Sequence, residues 1–126
     1  MNDHRIAGWH EALRRLQAHE PKELACRAYA ARDGAACAIG VVLPGTRRYG
    51  ELCDEAIDVL LARDADLARE ARALGMTTMD LRWLQRVNDQ ATWTEGFDRA
   101  SRYHHVVAYA ERAIGALELG EEVPSP

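Results

Sequence analysis

The chain has 126 residues, of which 48% are hydrophobic and 29% are charged, and its formal net charge is −4. This length suits one domain with its own core, and the composition is ordinary for a globular protein and excludes a disordered chain. Because 16 basic residues face 20 acidic ones, there is no basic excess of the kind that a general nucleic-acid-binding protein needs.

The three cysteines, Cys26, Cys37 and Cys53, are widely spaced and contain no C-x-x-C pair. An odd, dispersed set of this kind is neither a disulfide framework nor a zinc pattern, and it fits a reducing cytosol. The first residues are charged rather than typical of a signal peptide, and no window approaches the ~18 apolar residues of a membrane span. We therefore expect a cytoplasmic protein that has no cofactor and no association with a membrane.

The first predicted element is an amphipathic helix over residues 2–19, which Pro21 ends because the residue before a proline avoids the helical region. A second helix is predicted from Pro21 to Gly34, since proline in a first turn followed by Glu23 is typical of a helix start. The apolar stripe of the first helix consists of Ile6, Trp9, Leu13 and Leu16.

Residues 34–45, "GAACAIGVVLPG", form an apolar run bounded by glycines. The β-branched residues Ile39, Val41 and Val42 favour a strand, whereas the alanine-rich start favours a helix. Periodicity does not decide between the two in so short a run. Pro44 and Gly45 predict a turn at its end.

Residues 49–75 carry the longest helical pattern, but its apolar stripe shifts phase near residues 64–66. This shift predicts either a bend or two separate helices, and Gly75 is well suited to terminate the last one. The stretch "TTMD" then predicts a capping box between Thr77 and Asp80 at the start of another helix. The buried face of that helix is predicted to contain Leu81, Leu84 and Val87.

The final helix is predicted to begin near Ser101 as N-cap and to end at Gly120. Together the elements predict an all-α fold: a single compact domain of about five helices over residues 1–120, with at most one small strand element. Residues 121–126 are expected to be a flexible C-terminal tail. The buried stripe of the final helix is predicted to be Tyr103, Val106 (or Val107), Ala110, Ile114 and Leu117.

The stretches "WHEALRRL", "CAIGVV", "LRWLQRVND" and "AYAERAI" resemble a widespread group of small proteins seen in phages and prophages. The pattern of that group is W-x-x-A-L-R, then C-x-[IL]-G-V, then L-x-x-x-N-D, and a closing helix with aromatic, valine and alanine residues before I-E or A-E. The matching residues span most of the chain: Trp9, Ala12, Leu13 and Arg14; Cys37, Ile39, Gly40 and Val41; Leu84, Asn88 and Asp89; and Val107, Tyr109 and Glu111.

The resemblance implies a small cytosolic protein of a mobile element, a setting in which interaction and inhibition are common roles. In the group, the segment around the central cysteine continues into a helix, so the resemblance favours a short buried helix at residues 36–43. Gly40 would then allow another helix, such as the first one through Trp9, to approach closely. This chain differs from the group in having Ala36 and Ala38 beside Cys37.

Cys37 is the candidate for an enzymatic alternative, a small thiol-dependent enzyme. At the start of a helix its thiolate would be favoured by the helix dipole. His104 or His105 would then act as base, with Asn88 or Asp89 as the orienting group. The competing interpretation is a buried structural cysteine. No metal site is expected, because adjacent histidines on a helix point about 100° apart.

Asn88 and Asp89 close a predicted helix and open a turn. Both residue types hydrogen-bond readily to nearby backbone, so local capping is the simpler interpretation. The alternative is a surface feature that a partner recognises.

The main functional hypothesis is a non-catalytic protein that binds a host or phage protein. It would inhibit a defence system, such as a CRISPR effector, because its bound surface blocks the partner sterically. Tryptophan and arginine are enriched at binding hot spots, and residues 90–102 combine both with the only phenylalanine. Trp93 and Phe97 are alternatively a lid folded over the core. The predicted partner-binding residues are Trp83, Arg86, Trp93, Phe97, Arg99 and Arg102.

Two further kinds of partner remain as alternatives. Trp83 lies at the edge of its helix stripe, where it is available to a partner or to a second copy of the chain in a homodimer. A nucleic-acid-binding regulator is the remaining alternative, although the charge balance argues against it. That regulator would use clustered arginines to contact phosphates: Arg47, Arg48, Arg82, Arg86, Arg99 and Arg102.

Overall fold

The computed structural model describes residues 3–26, 28–51, 55–90 and 98–126, and the regular structure in these ranges is helical, without strands. Five of the α-helices have seven residues or more, which confirms the predicted all-α class. A 3₁₀ helix, Pro44–Tyr49, follows the second α-helix. The α-helices are α1 (Asp3–Ala18), α2 (Ala38–Val42), α3 (Ile57–Arg63), α4 (Ala65–Leu74), α5 (Thr78–Gln90) and α6 (Arg99–Glu118).

The helices pack around one core in which α6 lies against both α1 and α5. The short helix α2 contacts α1 and α5, and α3 packs against α5. Trp9 of α1 is completely buried, and its ring meets the ring of Tyr109 edge-on with centroids 6.0 Å apart. The burial of such large side chains is the main source of stability for the bundle. None of the described helices has the length and apolar character needed to cross a membrane.

A close backbone approach joins α1 to the end of α4. A Cβ atom on Gly8 would lie 2.7 Å from the carbonyl carbon of Gly75, so only glycine fits at position 8. Gly75 itself adopts a left-handed conformation (φ 96°) and terminates α4. This confirms the predicted helix end at Gly75.

The prediction of a second helix from Pro21 to Gly34 is wrong. The described part of this segment is an irregular loop whose backbone pairs with residues far from helical register. The Ala25 N–H donates to the Ala36 carbonyl at 2.9 Å, and the Cys37 N–H donates to the Ala28 carbonyl at 2.9 Å. These tertiary hydrogen bonds replace the intrahelical ones that the Pro-Glu start favours.

Residues 38–42 form α2, and every residue of this helix is buried. This confirms the short buried helix and excludes the strand interpretation for the segment. Gly40 does permit a close approach, because a Cβ there would collide with the carbonyl oxygen of Tyr29. The neighbour is therefore the loop before α2 and not α1 around Trp9.

The phase shift near residues 64–66 marks a break between two helices. Asp64 ends α3 and caps α4, since its Oδ1 accepts a hydrogen bond from the Leu67 N–H at 3.1 Å. An aspartate at this position satisfies an otherwise unpaired backbone donor and favours a new helix start.

Both ends of α6 are defined by local capping. The N-cap is Asp98, whose Oδ1 accepts from the Ser101 N–H at 2.8 Å, so the prediction of Ser101 as N-cap is wrong. The helix ends before Gly120, which has a positive φ of 76°. In the segment expected to be a tail, residues 121–126, Val123 is buried and the Tyr109 hydroxyl donates to the Pro124 carbonyl at 2.7 Å.

Candidate protein-interaction surface

The inner side of α5 carries three buried polar side chains, Asp80, Gln85 and Asn88, among its apolar residues. Asn88 is fully buried, and its Oδ1 accepts a hydrogen bond from the Ala38 N–H at 3.0 Å. Its Nδ2 donates to the Ala25 carbonyl at 3.1 Å. Asn88 therefore caps the N-terminus of α2 and holds the preceding loop at the same time.

Gln85 does the same for α3. Its Oε1 accepts a hydrogen bond from the Ile57 N–H at 2.9 Å, and its Nε2 donates to the Tyr29 hydroxyl at 2.8 Å. That hydroxyl donates in turn to the Glu55 carbonyl at 2.7 Å. Two amide side chains of α5 thus satisfy the backbone at the start of two other helices.

Asp80 fixes the first turn of α5 to α1. The predicted capping box is confirmed, because Thr77 Oγ1 accepts from the Asp80 N–H at 3.0 Å and Asp80 Oδ2 accepts from the Thr77 N–H at 3.1 Å. The same carboxylate accepts two hydrogen bonds from Arg5, at 2.7 and 3.1 Å. This paired geometry is the strong form of an arginine–carboxylate contact.

These inner contacts position the opposite, solvent-facing side of α5. Met79, Trp83 and Arg86 follow one another at spacings of four and three, which places them on one helical stripe; we call these three residues the α5 outer face. Met79 is 55% exposed, Trp83 is half-buried against the core, and Arg86 is exposed. The Arg86 guanidinium carbon lies 5.8 Å from the centroid of the Trp83 ring, a cation–π distance.

The structure does not join Arg102 to this surface. Arg102 is only 5% exposed; its Nε donates to the Asn88 carbonyl at 2.9 Å and its Nη1 to the Leu24 carbonyl at 3.4 Å. Its role is internal, so its assignment as a partner-binding residue is corrected. The helical phase already indicated this, because Arg102 lies four and seven residues before the buried Val106 and Tyr109.

Arg99 lies one turn from Arg102 at the start of α6. Its carbonyl accepts from the Leu24 N–H at 3.1 Å, and its partly exposed guanidinium donates to Asp33 at 2.6 Å. The backbone of Leu24 is thus held at both its polar groups: its N–H by the Arg99 carbonyl and its carbonyl by the Arg102 guanidinium. Trp93 and Phe97 lie outside the described residues, so Trp83 and Arg86 are the predicted site residues that the structure brings together.

Cys37 lacks the environment of a nucleophile. It is 3% exposed, and burial raises the pKa of its thiol to about 12, which disfavours the thiolate. Asn88 uses its side-chain oxygen on the Ala38 N–H, and both His104 and His105 lie on the exposed side of α6. Among the described residues, no group of three or more His, Cys, Asp or Glu side chains is arranged to hold a metal ion.

The arginines proposed for phosphate contact are largely engaged within the fold. Arg47 donates from Nε to the Gly40 carbonyl at 2.8 Å, and Arg48 pairs with Asp64. Arg82 lies 3.7 Å from Asp58. Arg48 and Arg82 therefore each lie beside a carboxylate that offsets their charge, whereas Arg47 keeps its charge.

No protein-family model, no curated protein and no solved structure shows a significant match to this chain.

Proposed function

We propose that the protein is a non-catalytic interaction protein that binds another protein through the α5 outer face. The observation that supports this proposal is the stripe of Met79, Trp83 and Arg86 on a helix whose inner side is fixed by hydrogen bonds to other elements. Methionine, tryptophan and arginine are the types that protein interfaces favour. Met79, which is 55% exposed, is one of the few large apolar side chains among the described residues that face solvent.

The stripe is also preorganised for binding. Trp83 packs partly against the core, so its ring has little freedom to lose when a partner covers it. Arg86 is held over that ring, and Met79 supplies an adaptable apolar contact one turn away. A partner that covers this stripe would bury the indole and the methionine side chain together.

We propose further that the partner is a host or phage protein, and that binding inhibits a host defence system such as a CRISPR effector by steric occlusion. The motifs around Trp9, Cys37 and Asn88, which resemble small phage and prophage proteins, support this choice. Occlusion needs no catalytic group, which is consistent with the burial of Cys37.

The test is an interference assay in cells whose CRISPR systems target a phage, with one strain for each effector type. Expression of the chain should restore phage plating in at least one strain. The double variant M79E/R86E should lose this effect at equal protein level, whereas R112E should retain it. Arg112 is a matched control, because it is also exposed and lies 5.9 Å from the centroid of an aromatic ring, that of Tyr109.

Two results would count against the proposal. If the wild-type chain restores plating in no strain, the inhibitor role is wrong. If M79E/R86E restores plating as well as the wild type does, the binding surface is not the α5 outer face.

A further inference from the structure

The structure contains a second surface feature, which lies beside the α5 outer face and is not used by the proposed function. A cleft of about 500 Å³ opens between α3, α4 and the first residues of α5. Its polar members are Asp58, Arg72, Thr77 and Thr78. Its apolar lining is formed by Leu61, Ala62, Ala68, Ala71 and Met76.

The charged side chains in the lining of this cleft are Asp58 and Arg72, and they differ in how they are paired. Arg72 is exposed and forms no ion pair or hydrogen bond within the described part of the chain. The one acidic residue of the lining, Asp58, lies 3.7 Å from Arg82, which offsets its charge. An occupant of the cleft should therefore combine an apolar side chain with carboxylates.

The end of α6 has this chemistry. Leu119 is 76% exposed, the highest exposure among the large apolar side chains described. Three exposed carboxylates surround it in sequence, and the C-terminal end of a helix adds partial negative charge. These carboxylates are Glu118, Glu121 and Glu122.

The first turn of α5 and the segment after α6 both have a charged residue near Arg5. Arg5 links them: it binds Asp80 in the first turn of α5, next to the cleft residues Thr77 and Thr78. The pKa of Arg5 is raised, first by the hydrogen bond to Asp80 and then by the nearby charges of Asp80 and Glu122. Leu119 is nevertheless exposed, so it does not occupy the cleft of its own chain.

We propose that the chain self-associates as a reciprocal dimer in which Leu119 of each copy enters the cleft of the other and the carboxylates beside it face Arg72. In a dimer with a two-fold axis, the contact of Leu119 with the cleft forms twice, once from each copy. Burial of one leucine side chain and the facing of opposite charges both favour this arrangement.

The test is sedimentation equilibrium of the purified chain from about 1 µM to 1 mM. The wild type should pass from monomer to dimer, and added salt should shift the transition to higher concentration because it screens the charge pairs. L119S should weaken association at least about tenfold. R112E, a charge reversal two turns earlier on α6, should leave it unchanged.

A charge exchange tests the proposed contact itself. R72E and E121R should each weaken the dimer, whereas the double variant R72E/E121R should return to within about threefold of the wild type. A chain that stays monomeric over the whole range would overturn the proposal, as would a dimer insensitive to L119S. A dimer that R72E/E121R does not restore would overturn the placement at the cleft. The measurement uses the pure chain, so its outcome is independent of the interference assay.

Discussion

Asn88 caps a helix that lies 50 residues earlier in the chain, through the hydrogen bond that its Oδ1 accepts from the Ala38 N–H at 3.0 Å. The same side chain donates to the Ala25 carbonyl, so one buried amide joins α5, α2 and the loop before α2. This contact fixes the inner side of α5 and thereby orients the outer face on which the proposed function depends.

N88A should lower the free energy of unfolding by about 2–4 kcal/mol, because it leaves a buried backbone N–H and a buried carbonyl without partners. Urea denaturation measures this change. Q90A is the control: Gln90 is exposed at the end of the same helix, so its loss should stay within about 0.5 kcal/mol. A loss below that level for N88A would show that α2 does not depend on this cap.

R5A should destabilise the fold by about 2–3 kcal/mol, since it leaves the carboxylate of Asp80 buried without its guanidinium partner. Arg5 is itself partly exposed, which places the effect below the range for fully buried pairs. R14A removes a similar two-bond pair, with Glu11, that lies on the surface, and it should cost much less stability than R5A because solvent screens that pair. Equal losses for the two variants in urea would contradict the structural role of Arg5.

G40A and G115A form a contrasting pair of glycine substitutions. A Cβ at position 40 would collide with the Tyr29 carbonyl oxygen, whereas a Cβ at position 115 meets nothing within 4 Å. G40A should therefore destabilise the protein by at least about 1–3 kcal/mol. G115A, in the interior of α6, should stabilise it by about 0.5–1 kcal/mol. Thermal melts of the two variants should shift in opposite directions; a G40A midpoint at or above that of the wild type would contradict the packing around Gly40.

Stability should fall at alkaline pH in a way that depends on Cys37. Burial raises the pKa of this thiol from 9.0 to about 12, so above pH 9 the unfolded chain releases a proton that the folded chain keeps. The free energy of unfolding should then decrease between pH 9 and 12, with a contribution from this thiol on the order of 1 kcal/mol per pH unit. C37A should show a shallower decrease in urea melts at successive pH values, and an unchanged slope would show that Cys37 is not the source.

The sequence predicts correctly those features that depend on residues close together in the chain. The Thr77–Asp80 capping box, the helix end at Gly75 and the break near residues 64–66 all follow from local chemistry, and the structure confirms each of them. The sequence does not predict the loop after α1, because the backbone of this loop forms hydrogen bonds with residues distant in the chain, as Ala25 does with Ala36. A helix-start signal at Pro21 carries no information about such tertiary partners.

The candidate site shows the same division. The helical phase alone predicts Trp83 at the edge of its stripe, and the structure finds it half-buried there. The charge of Arg102 predicts a surface position, but its helical phase matches the buried stripe of α6, and the structure finds it buried. The capping roles of Gln85 and Asn88 reach helices that start 28 and 50 residues away, which no local pattern predicts.

Affinity capture from host cells tests the central claim most directly, with the wild type, M79E/R86E and R112E as baits of equal stability. We predict that the wild type and R112E retain the same partner protein in near-stoichiometric amount, and that M79E/R86E binds this partner at least about tenfold more weakly. Equal capture of that partner by M79E/R86E, or no specific capture by the wild type, would contradict the assignment of the α5 outer face as a protein-binding surface.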